Sequence, residues 1–185
     1  MTGEHSKPTS SLSHEAWWPS DLFVQGIGWV ILTRFKSGGR RAETGVFLVD
    51  VYCLGAKMAV YEDGSTEGYV SRIRDHYLSE FPMTPADPCC ARKLVEQAVR
   101  YAQDLGFAPH LDYKKAARVW GGIDPGQCRQ VFTFGYAGKP LYRRGPNETE
   151  VKALSIVRQL ERRCGQGGFD YVIQLDMAKV REMMK

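Results

Sequence analysis

The sequence predicts an α+β domain: a mostly antiparallel sheet built from two hairpins and a C-terminal strand, with two main amphipathic helices packed on one face. Three observations lead there. Residues 45–57 form the most apolar continuous stretch, too short to span a membrane and punctuated by Gly45 and Gly55, so it reads as the central strand. Apolar residues recur at spacings of three and four over 69–81, 87–106 and 147–165, the periodicity of helices with one buried face. Strand-like segments flank glycine-containing turns twice, at 36–41 and at 135–139.

Taken in order, residues 1–15 are polar and rich in Ser and Thr, which predicts a flexible lead ahead of a single domain over 16–176. Trp17 and Trp18 end the lead. Two adjacent indoles are costly in water, so they dock either on their own domain or on a partner. Residues 26–35 predict a strand and 36–41 a flexible turn, giving the first hairpin with 45–57. Tyr69, Val70, Ile73, Tyr77, Leu78 and Phe81 mark a helix stopped by Pro82 and Pro85. The clearest helix follows: Asp87 is its N-cap, Pro88 lies in its first turn, Leu94, Val95, Ala98, Ala102 and Leu105 make its inner face, and Gly106 closes it. A short helical piece over 113–120 leads to a loop at 121–126. Residues 131–134 and 140–143 predict the second hairpin. Asn147 and Glu150 have the spacing of a capping box for a helix with Val151, Leu154, Val157, Leu160 and Cys164 inward, ended by Gly165. A last strand over 168–174 and a tail over 177–185 complete the chain.

The length of 185 residues, with 43% hydrophobic and 25% charged side chains, suits one globular core and argues against wholesale disorder. The formal charge of +4 is too small to require a phosphate-rich partner. Five cysteines, odd in number and irregular in spacing, do not make a disulfide framework. There is no C-x-x-C and the histidines are scattered, so neither a metal site nor a cofactor is expected. Reduced thiols and a cytoplasmic address follow, with no membrane partner, because no stretch approaches the roughly 18 apolar residues of a spanning helix.

Asp50 interrupts the apolar strand. It is either buried and in need of a partner, which raises its pKa and makes it a candidate base, or turned to the wet side. Cys53, His110 and Asp112 supply a nucleophile, a base and an orienting carboxylate if the fold gathers them. Asp112 also serves as a cap for the helix beginning at Tyr113, and Cys53 as a small core residue. Cys89 and Cys90 head a helix whose N–H groups stabilise a thiolate, although Asp87 already serves that end. Arg40 and Arg41, close to Arg34 and Lys36, and Lys139, Arg143 and Arg144 form two basic clusters suited to an anion or a nucleic-acid backbone.

The segments LVDVYCLG (48–55), LGFAPH (105–110) and GKPLY (138–142) resemble an uncharacterised family of bacterial proteins over roughly residues 28 to 174. The resemblance implies a shared domain and brings no activity with it. The expected function is therefore a non-enzymatic accessory protein that binds another macromolecule, a protein subunit of a bacterial complex with a defence or regulatory role. Trp17 and Trp18 are the candidate partner contacts. Two alternatives stand beside it: nucleic-acid binding through the basic hairpin tips, and a Cys-His hydrolase or transferase.

Overall fold

The computed structural model describes residues 14–173. The tail expected over 177–185 and the lead lie outside them, except that His14 and Glu15 open the first strand. Five antiparallel strands make the main sheet in the order β4-β3-β2-β1-β5: β1 (His14–Pro19), β2 (Ile27–Lys36), β3 (Arg41–Asp50), β4 (Gly55–Ser65) and β5 (Met83–Ala86). The α+β class and the antiparallel sheet are thus as the sequence predicts. A short helix, α1 (Leu22–Gln25), joins β1 to β2, and a 3-10 turn at Ser37–Gly39 joins β2 to β3.

The apolar stretch at 45–57 divides differently from the single strand expected. It holds the end of β3, a buried turn at 51–54 and the start of β4. The continuous apolar run comes from burial on both faces of β3. Phe47 and Val49 point into one core with Val30, Leu32, Leu94, Val95 and Ala98, and Val46 points into the other with Ile31, Tyr69 and Ile73. A strand covered on both sides loses the alternation that marks a half-wet one.

Both faces therefore carry helix, not one face alone. On the first lies α4 (Pro88–Asp104), with α5 (Tyr113–Ala116) and the 3-10 turn Ala117–Trp120 beside it. Its ends are as expected: Asp87 accepts from the N–H of Cys89, and beyond Leu105 the amides of Gly106 and Phe107 donate to the carbonyls of Gln103 and Ala102. On the second face runs a helical segment of α2 (Thr66–Tyr69), a π turn (Val70–Arg74) and α3 (Asp75–Glu80). The last helix, α6 (Glu150–Cys164), packs against the 51–54 turn and the end of α4 through Ala153, Ile156 and Leu160. Its cap is Thr149, accepting from Lys152, not Asn147. The register is shifted accordingly, leaving Val151 and Leu154 exposed.

The second hairpin does not form. Residues 131–134 are irregular, and β6 (Leu141–Arg143) pairs in parallel with β7 (Asp170–Val172). Phe132 and Phe134 instead lie against Trp18, Phe23 and Tyr101. The backbone beyond them turns inward, where Gly135 N–H donates to Val51 and Leu141 N–H to Tyr52.

One contact fixes α4 on the sheet. Gly55 has φ +63, and a Cβ there would lie 2.7 Å from the Ala98 carbonyl oxygen and 2.8 Å from Ala102 Cβ. Gly55→Ala combines an unfavourable backbone conformation with overlap against helix backbone, an expected loss of about 3 kcal/mol. Thermal unfolding followed by circular dichroism should show Tm lower by roughly 6–12 °C; a shift below about 1 °C would mean that the strand and helix separate freely.

Candidate functional site

Asp50 ends β3 only 6% exposed, and its carboxylate faces the backbone of the turn that follows. Oδ1 accepts from the amides of Tyr52 at 2.9 Å and Cys53 at 2.8 Å. Burial raises its pKa from 3.8 to about 6, opposed by those amides and by Lys57. The partner demanded by a buried carboxylate is thus chiefly peptide N–H, and the wet-side alternative is not realised. Tyr52 extends the anchoring: its hydroxyl donates to the carbonyls of Phe23 and Val24, and the Arg143 guanidinium covers its ring.

Beyond this turn a cleft of about 380 Å³ opens between the start of β4, the 106–111 loop and the first turns of α6. Its polar groups centre on Glu148. Oε1 is 2.9 Å from Lys57 Nζ, while Oε2 accepts from the Tyr142 hydroxyl at 2.7 Å and from Gly145 N–H at 3.1 Å. Burial acts to raise the Glu148 pKa, but the bonds from Lys57, Tyr142 and Gly145 outweigh it and hold the carboxyl below its ordinary value. Leu54, Phe107, Pro109, Leu111 and Ile156 supply apolar surface, with Leu111 95% exposed. His110 and Lys152 complete the lining. The segments 48–56, 105–110 and 138–142 meet around this corner through the bonds His110 N–H to Ala56 and Leu141 N–H to Tyr52.

The candidate catalytic trio is brought together only in part. His110 Nδ1 accepts from the Asp112 amide and lies 3.9 Å from Asp112 Oδ2. Cys53 is fully buried among Leu54, Leu105, Tyr142 and Leu160, and burial pushes its thiol far above the range of a nucleophile. No hydrogen bond joins it to His110 among the described residues. Asp112 sits at the start of α5 without a side-chain cap bond.

Trp17 and Trp18 are half-buried on their own domain. They occupy β1 and pack on opposite faces of the sheet, Trp18 beside the α4 core and Trp17 beside Ile31 and Tyr69. The basic residues form no single surface. Arg40 and Arg41 lie at the β2–β3 tip, where Arg41 pairs with Asp63, and Arg34 and Lys36 with Glu43. Burial would raise the Glu43 pKa, but the bonds from Lys36 and Arg34 lower it to about 2. Arg143 and Arg144 lie at the other end of the strands, Arg143 donating to Gln25 and Arg144 to Glu148, with exposed Lys139 in the nearby turn. Ten-residue strands hold the two groups roughly 30 Å apart.

A second cluster joins Cys89 and Cys90, at the head of α4 as expected, to the distant Cys128. Cys90 and Cys128, 38 residues apart, are joined by a disulfide, and the buried Cys89 stands beside them. The expectation that all thiols are reduced is therefore corrected. A separation of that length has no motif, and only the Cys89-Cys90 pair in an odd total marked the place.

No protein-family model matches the chain, and neither a curated protein nor a solved structure is significantly similar to it. Among the described residues, no helix is long and apolar enough to cross a membrane.

If Asp50 serves the turn and not a reaction, its neutral isostere should suffice. Asp50→Asn keeps an acceptor for the two amides and is expected to stay within about 1 kcal/mol of wild type at pH 7. Asp50→Ala leaves those amides unsatisfied and should cost about 3 kcal/mol. Because the folded-state pKa is raised, its contribution is fully present below about pH 4 and is lost as pH rises through about 6. Urea titrations across that window should show wild type losing stability relative to Asp50→Asn, a difference in which the opposite slopes from Glu43 and Glu148 cancel.

Proposed function

We propose that the protein is a non-enzymatic, cytoplasmic accessory module that binds a protein partner in the cleft between the 106–111 loop and α6. The observation that carries this reading is the division of labour there. Glu148 has both carboxylate oxygens engaged by Lys57, Tyr142 and Gly145, while the surface left to a visitor is mostly apolar and includes the almost fully exposed Leu111. Engaged polar groups fix shape, and exposed leucine beside proline and phenylalanine offers an anchor pocket. Against a catalytic role stand the buried Cys53 thiol and the absence of a Cys53–His110 bond among the described residues. Against a nucleic-acid role stands the placement of the basic residues at two ends of the sheet.

The partner chemistry follows from the lining. An apolar side chain enters between Leu54, Phe107, Leu111 and Ile156, and an acidic residue next to it meets Lys152. Panning a displayed random-peptide library should enrich segments with an apolar residue flanked by Asp or Glu. By fluorescence anisotropy, Leu111→Asp and Lys152→Glu should each weaken the best peptide at least about tenfold without lowering Tm. Absence of an enriched motif, or peptides that bind both variants as well as wild type, would reject the cleft as the binding surface.

A further inference from the structure

Cys89 and Cys90 lie in the first turn of α4, and Cys128 follows the 3-10 turn Pro125–Gln127. Their three sulfur atoms lie within 4.8 Å of one another, and all three residues are buried. A disulfide needs two of them, so Cys89 is left as a third sulfur at the same point. The segment bearing Cys128 is also held by contacts other than the disulfide. Lys93 Nζ donates to the carbonyls of Cys128 at 2.9 Å and Gln130 at 2.7 Å, and Arg92 donates to the carbonyl of Ile123. Ile123, Phe132 and Trp18 pack around the sulfurs. These clamps keep Cys128 facing the head of α4 when the disulfide is open.

From this the geometry points to a redox-dependent metal site, independent of the cleft: in the reduced protein, Cys89, Cys90 and Cys128 bind one zinc ion as three thiolates. With Zn–S bonds of about 2.3 Å in tetrahedral array, sulfurs stand roughly 3.7 Å apart, within the spread seen here, so rotation of the Cys90 and Cys128 side chains suffices. The fourth position is supplied from the adjoining cavity of about 460 Å³, which is lined by Cys89, His14, Asp87 and Asp124. The carboxylates of Asp87 and Asp124 favour a cation there.

The chemistry balances with a dithiol as reductant. It gives two electrons and two protons to the Cys90–Cys128 bond, which becomes two thiols as the reductant becomes a disulfide. Zinc then displaces three thiol protons to solvent. A disulfide oxidant reverses the sequence: it accepts two electrons from Cys90 and Cys128, their bond reforms, and the ion leaves with Cys89 reprotonated.

Cobalt(II) reports on such a site through thiolate charge-transfer bands and the visible absorption of tetrahedral coordination. The reduced full chain is expected to take up one Co²⁺, displaced by one Zn²⁺, and the oxidised chain none. Cys89→Ser and Cys128→Ser should each weaken Zn²⁺ binding at least about 100-fold, whereas Cys164→Ser, outside the cluster, leaves it unchanged. Zinc should also shield three thiols of the reduced wild type from alkylation, a readout that requires no variant to fold. A reduced wild type that takes up no Co²⁺, a Cys89→Ser variant that binds as tightly as wild type, or no thiol protection by zinc would overturn the assignment.

Discussion

The architecture depends on a carboxylate that solvates a turn. Residues 51–54 reverse the chain between two strands inside the molecule, where unpaired amides are costly. Asp50 takes two of them, and the turn's own carbonyls are met by Gly135 and Leu141 from a distant part of the chain. In this way a local reversal becomes the junction of the α4 core and the α6 core. The cost is a buried acid whose pKa is raised to about 6, offset in part by Lys57.

Lys57 links that turn to the cleft, because its ammonium also pairs with Glu148. The polar groups fall into two bonded sets, the turn amides on Asp50 and the Lys57 and Tyr142 donors on Glu148, which the charge of Lys57 couples. Each member is partly desolvated, and each finds its counterpart within its set. Such a network holds side chains in one arrangement, which suits recognition. Both Glu148 oxygens are engaged by Lys57, Tyr142 and Gly145.

The parts legible in the sequence were those governed by local rules. The α4 cap at Asp87 and its Gly106 terminus follow from residue chemistry within one turn, as does the β2–β3 hairpin. The parts that escaped depend on contacts between distant segments. The turn inside 45–57 was hidden because burial of both sheet faces erased the alternation that separates strands. The expected second hairpin yielded to Phe132 and Phe134, whose rings found better partners in Trp18, Phe23 and Tyr101. Whether Cys53, His110 and Asp112 meet depends on how the 51–54 turn is buried, which no local pattern announces, and that turn places the Cys53 thiol in the α6 core. Glu148 falls between Asn147 and Glu150 of the expected capping box, and nothing in its neighbours announces Lys57, which lies more than 90 positions earlier.

The helix α4 has the sulfur cluster on its first turn and the entrance to the cleft loop just past its last, at Gly106. Seventeen helical residues form a stiff strut roughly 25 Å long, pressed so closely on Gly55 that no methyl group fits between. Any tilt of that rod is resisted at its middle, where the helix backbone bears directly on the start of β4. The two chemically separate corners of the molecule share a single mechanical element.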